Sequence, residues 1–162
     1  MKNIDNELLD QLCAEAAQSP RKRSHRLLHD GDADTVQRLL IAVQPGTVVP
    51  PHHHAAPMLW ESHVCLRGAY DILMFDDQGS VTERYSLGQG AGTALLEVDG
   101  SRWHALIATQ ADTVLLEFKP GPFNPDAAKF TAEFAPLEGE EGAEHWEQWA
   151  RTAQVCERYV GQ

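Results

Sequence analysis

Residues 46–68 read GTVVPPHHHAAPMLWESHVCLRG. Three consecutive histidines, His52, His53 and His54, follow Gly46 and the five residues TVVPP. On a strand, successive side chains point to opposite faces, so His52 and His54 share one side and His53 takes the other. Glu61 opens a second strand after the linker AAPMLW, and alternation puts His63 and Cys65 on its face. Further along, His104 follows Trp103 at the start of another strand. Imidazole nitrogens and a carboxylate together suit Zn, Ni, Mn, Fe or Cu. Ligand distances of about 2.0–2.2 Å require the groups to converge on one point. Two histidines at i and i+2 do so from a single strand, and neighbouring strands of a barrel can supply the others.

Around this stretch the chain reads as β. Short apolar runs at Thr35–Val43, Val48–Pro51, Glu61–Arg67, Tyr70–Phe75, Val81–Leu87, Ala94–Val98, Trp103–Ala108 and Thr113–Phe118 alternate with Gly, Pro and Asp-rich turns. No long helix interrupts them, which argues against a parallel α/β sheet and for an antiparallel sandwich or barrel. The ends differ. Ile4, Leu8, Leu12 and Ala16, flanked by Leu9 and Cys13, have helical spacing, with Asn3 or Asp5 as cap and Ser19-Pro20 as stop. Trp146, Trp149 and Ala153 predict a C-terminal helix in which the tryptophans pack. The expected organisation is one domain: a helical extension over 1–23, a β-barrel over 24–137 and a helical tail over 138–162. Gly88-Gln-Gly-Ala-Gly92 is followed by TALLEV, a strand pattern, and reads as a turn rather than a dinucleotide-binding loop.

The frame Gly46, five residues, His52-x-His54, Glu61, six residues, Gly68 resembles the first cupin motif, departing from it by the longer gap before Glu61. Val98-Asp99-Gly100-Ser101-Arg102-Trp103-His104 is similar to the second, without its proline and with the glycine one place early. The Trp-Glu that ends the gap, SPRKRSH with His29, DTVQRL, LRG, FDDQG and GPFNP resemble the WbuC-type cupin-fold metalloproteins over about nine-tenths of the chain. The resemblance implies a small antiparallel cupin barrel, or jelly roll, and a divalent transition metal (Zn, Ni, Mn or Fe). Its ligand places fall on His52, His54, Glu61 and His104, and His53 stands at the variable place between two of them. It also implies a homodimer and an association with bacterial surface-polysaccharide genes.

Three functions fit these residues. One is a metal-dependent enzyme acting on a small substrate, sugar or sugar nucleotide by resemblance, with His63 as pocket acid–base. The second is an iron-dependent dioxygenase. The third is a non-catalytic metal- or ligand-binding module. Trp60 and Trp103 each precede a proposed ligand, so alternation turns them to the opposite face as packing residues.

Composition excludes other classes. The 162-residue chain has 43% hydrophobic residues, enough for a core, and a formal net charge of -11. Such a charge repels phosphate backbones and anionic membranes, so neither nucleic acid nor a membrane is an expected partner. No long apolar run predicts a membrane span. Three widely spaced cysteines, Cys13, Cys65 and Cys156, suggest no disulfide framework and fit a reducing cytoplasm. The N-terminus carries charges where a signal peptide needs apolar residues. Arg21-Lys22-Arg23, with Arg26, is the one dense basic run; it reads as a solvated linker, as does His25, or else as a steering patch for an anion. The place of His29, by resemblance, is over the barrel mouth.

Overall fold

A computed structural model describes residues 1–54, 59–125 and 129–161. Helix α1 (Asn6–Gln18) leads into β1 (Arg23–Leu27), β2 (Val36–Val43), β3 (His52–His53), β4 (Glu61–Arg67), β5 (Ala69–Phe75) and β6 (Val81–Gly88). These are followed by β7 (Leu96–Val98), β8 (Trp103–Ala108), β9 (Thr113–Pro120), β10 (Phe130–Thr131) and helix α2 (Ala143–Thr152). The strands form two five-stranded antiparallel sheets, in the orders β1-β2-β9-β4-β7 and β10-β3-β8-β5-β6. The mainly β architecture with a helix at each end is as the sequence predicts. The two sheets face each other as a jelly-roll-like sandwich rather than closing into one continuous barrel.

Period-2 alternation divides the apolar residues into three layers. Ile41 and Val43 of β2, Tyr70, Ile72 and Met74 of β5, Leu106 of β8 and Leu115 of β9 point between the sheets. The intervening Leu40 and Ala42, with Val114, point outward against Leu9, Leu12, Cys13 and Ala16 of α1. On the other side Leu73, Phe75, Ala105 and Ile107 pack against Trp146 and Ala150 of α2. Asp5 caps α1, its carboxylate accepting from the Leu8 N–H at 3.1 Å. At the end of α2 the Arg84 guanidinium donates to the carbonyls of Ala153 (2.8 Å) and Arg151 (2.7 Å) and pairs with Asp71. That satisfies carbonyls the helix leaves open.

Some boundaries differ from those predicted. Val48–Pro51 carries no strand, because Pro50 and Pro51 have no N–H to give a ladder. Residues 23–27, read as a linker, form β1 along β2. Gly68, between β4 and β5, has φ +71°, and a Cβ there would lie 2.3 Å from Thr113 Oγ1. Both facts demand glycine at this turn.

Candidate metal centre

At one end of the sandwich, polar side chains replace apolar ones on the inner faces. His52 pairs in register with His104 across β3 and β8, and their ring centroids are 4.4 Å apart. His54 follows directly, its ring 5.7 Å from that of His104. The facing sheet contributes Glu61 and His63 from β4 and Glu117 and Lys119 from β9; His63 and Glu117 are cross-strand partners. Alternation thus delivers each of these groups into one space. His53 turns away and packs on Trp103 and Phe130.

His52, His54, Glu61 and His104 are each less than a tenth exposed, and one donor atom from each lies within 4.8 Å of the others. His52 Nδ1 lies 3.0 Å from the Pro50 carbonyl and His104 Nδ1 lies 2.9 Å from that of Arg102. A carbonyl only accepts, so Nδ1 carries the proton in both rings and Nε2 keeps its lone pair. His104 Nε2 is buried with no hydrogen-bond partner among the described residues and sits 3.5 Å from Glu61 Oε2. A lone pair facing a carboxylate is repulsive, and a cation between them reverses the sign. Two donors bound to one ion at about 2.1 Å lie roughly 3.0–3.4 Å apart. Glu61 is 3.1 Å from His54 Nε2 and 3.5 Å from His104 Nε2. The first separation, to Oε1, falls inside that range and the second, to Oε2, just beyond it; tautomer and donor type fit a divalent transition metal.

Glu61, His63 and Glu117 form a second convergence, but Lys119 Nζ lies 3.0 Å from Glu61 and 2.9 Å from Glu117. The cation between those carboxylates is the chain's own ammonium. Burial alone would lower the Lys119 pKa, and the Glu117 and Glu61 carboxylates instead raise it. Burial alone would push the Glu61 carboxyl up; with no ion bound, a proton shared with His104, His54 and His63 takes the cation's place and, together with Lys119, holds the carboxyl well below the carboxylate range. Burial, followed by the neighbouring His104, pushes His52 well below the usual imidazole value.

These two shifts set an acid limit for the metal-stripped protein. Below about pH 6.5 an unfolded chain takes up a proton at residue 52 that the folded chain refuses, so stability falls as pH falls. Glu61 acts in the same direction at lower pH, because its unfolded carboxyl protonates first. The urea midpoint of metal-stripped protein is expected to drop steadily from about pH 7 to pH 4, and less steeply above pH 5 in His52→Gln. A midpoint that holds or rises over that interval contradicts a neutral buried His52.

A cavity of about 370 Å³ opens over the four side chains. His63 lines it as alternation predicts, and both its ring nitrogens are buried without a hydrogen-bond partner among the described residues. Cys65 shares that inner face but not the cavity: it pairs with Leu115 and packs on the apolar layer between the sheets, its thiol donating to the Arg67 carbonyl at 3.2 Å. His29 lies outside the cavity lining and binds β2, accepting from the Arg38 N–H at 3.0 Å. Conversely Arg23 and His25, at i and i+2 on β1, line the cavity, as do Lys119, Lys129 and Phe123, which the sequence reading did not single out. Phe123 is held there through GPFNP, where the Gly121 N–H donates to Thr35 and the Phe123 N–H to Asp32.

Residues 4–87 match the profile of a family described as a domain of unknown function, DUF6016. The chain belongs to the DUF6016 family. The matched part of this DUF6016 chain holds His52, His54, Glu61 and His63, and His104 lies beyond it. No curated protein matches the sequence. Among solved structures the chain is similar to the DMSP lyase DddQ from Ruegeria pomeroyi DSS-3, at 18% identity and TM-score 0.52 over 73% of this chain and 54% of that one. It is similar to salicylate 1,2-dioxygenase from Pseudaminobacter salicylatoxidans at 14% identity and TM-score 0.55, over 74% of this chain and 34% of that one. An RmlC-like cupin protein from Desulfovibrio desulfuricans aligns at 19% identity and TM-score 0.46, over 60% of this chain and 82% of that one. The chain therefore spans about half and a third of the lengths of the first two. The likenesses to the lyase and the dioxygenase concern the fold alone, a jelly-roll-like sandwich of two antiparallel sheets. Among the described residues no helix is long and apolar enough to cross a membrane.

Proposed function

We propose that this DUF6016 protein binds one divalent transition-metal ion through His52, His54, Glu61 and His104 and acts on a small polar molecule in the cavity above it. The supporting observation is the burial of three imidazoles and a carboxylate whose donor atoms lie within 4.8 Å of one another. A bound ion of this kind supplies Lewis acidity toward a carbonyl or hydroxyl oxygen. The chain's own residues do the rest. Glu61 stays ionised, Lys119 holds its carboxylate in place, and the Nδ1 hydrogen bonds fix the rings of His52 and His104. His63, 3.7 Å from Glu61 and facing the cavity, is the group placed to move a proton.

The cavity holds the volume of roughly a dozen waters. It encloses a single ring or a short acid, and a nucleotide sugar would leave most of its length outside. The motifs shared with the WbuC-type proteins favour a sugar-like molecule among those that fit. Dioxygen chemistry is the second reading, since the same donors with an open cavity side also suit iron; a dioxygenase is among the fold's likenesses.

The test is a screen of metal-loaded protein against single-ring sugars and sugar acids. Turnover is expected to vanish on chelation and to fall at least about 100-fold in His63→Ala, with metal content unchanged. Unchanged turnover in His63→Ala removes the proton-moving role. Iron content with substrate-dependent oxygen uptake selects the dioxygenase reading. Full metal occupancy with binding and no turnover selects a binding module.

A further inference from the structure

The wall opposite the three proposed histidine ligands carries more positive charge than its own carboxylates, Glu61 among them, neutralise. This stands out in a chain with 24 acidic and 13 basic residues. Arg21 and Arg23 both bind Glu138, at 2.8 Å each, so two guanidiniums share one carboxylate. Lys119 lies between Glu61 and Glu117. Lys129 lines the same cavity, and among the described residues its ammonium makes no ion pair or hydrogen bond. His25 lines it from β1, two residues beyond Arg23. Arg21, Arg23, Lys119 and Lys129 line the same cavity as the His25 imidazole, and burial followed by these cations lowers its pKa. The floor and far wall are apolar, from Leu39, Ile41, Val43, Ile72 and Leu106.

Resting on the metal-centre reading, we infer that the molecule this cavity takes is an acid: an anionic head held at the mouth by Lys129 and His25, with its uncharged end reaching the His52–His54–Glu61–His104 cluster. A divalent ion at that cluster would outweigh the single negative charge left by Glu61, Glu117 and Lys119. The cavity then becomes positive from floor to mouth. An uncharged molecule of equal size would leave the Lys129 ammonium uncompensated beside Arg23 and Lys119. Carboxylate and phosphate share the required chemistry.

The test is calorimetric titration of metal-loaded protein with D-glucuronate, D-glucose 6-phosphate and D-glucose, three single-ring probes that differ in the head. At least one acid is expected to bind about tenfold or more tightly than glucose. That advantage should shrink about fivefold in Lys129→Gln and again at high salt. The stronger acid distinguishes a carboxylate head from a phosphate head. Lys129 is exposed, so its replacement leaves the core untouched. Equal or absent binding of all three probes overturns the inference, as does an acid preference that survives Lys129→Gln. Metal content measured on the same samples separates the two readings. Acid preference without bound metal keeps the mouth and removes the metal centre, and bound metal without acid preference does the reverse.

Discussion

Glu61→Gln is expected to strip the protein of metal. The substitution keeps size and shape and removes the only carboxylate in the four-donor cluster. An amide oxygen is a far weaker ligand for a transition metal than a carboxylate, and loss of groups that merely orient ligands already costs 10–100-fold. Affinity should therefore drop at least about 100-fold, enough for the purified variant to carry less than about a tenth of the wild-type metal. There is a second cost. Lys119 keeps Glu117 at 2.9 Å but loses its 3.0 Å contact with a charged Glu61. Removing one partner from a buried ionic cluster costs about 3 kcal/mol. Urea denaturation of metal-stripped wild type and variant isolates that part. Wild-type metal content in the variant would show that Glu61 is not a ligand.

Trp146→Ala should produce the largest loss of stability without touching the site. Trp146 is fully buried on α2 between the helix and the outer face of the second sheet, against Leu73, Phe75 and Ile107. Truncating a buried aromatic to alanine costs about 3–5 kcal/mol, from lost burial and the cavity left behind. For a chain of this size that lowers the melting midpoint by roughly 10 °C. Metal content at 25 °C should be unchanged, because the metal cluster projects from the opposite, inner face of the sheet. A loss under about 1 kcal/mol would mean that α2 is not docked as described.

Much of this was legible because strand alternation is strict. His52 and His54 share a face at i and i+2, His53 takes the other, and His63 follows Glu61 inward. The frame from Gly46 to Gly68, with the separate Trp103-His104, pointed to His52, His54, Glu61 and His104, and one donor atom from each lies within 4.8 Å of the others. What failed depended on how far along a strand a residue lies or on distant partners. Cys65 kept the inner face, opposite Leu115, but lies farther along β4 among the apolar residues between the sheets, outside the cavity. β1 was missed because RSHRL has little apolar content, and its strand state comes from pairing with β2. Alternation within RSHRL, with Arg23, His25 and Leu27 on one face, was the available signal. Lys119 was missed because the predicted strand stopped at Phe118; two more residues of β9 would have placed it beside Glu117. Lys129 lies outside any predicted element, and nothing local aims it at the cavity.

The most direct measurement is metal analysis by mass spectrometry of the intact protein, purified without a metal-affinity tag and without added metal, alongside His54→Ala and His104→Ala. The account predicts about one equivalent of a single transition metal per wild-type chain and less than about a tenth in each variant, all three remaining folded by circular dichroism. Folded wild-type protein that holds no metal, even after incubation with Zn, Ni, Mn and Fe salts, would contradict it.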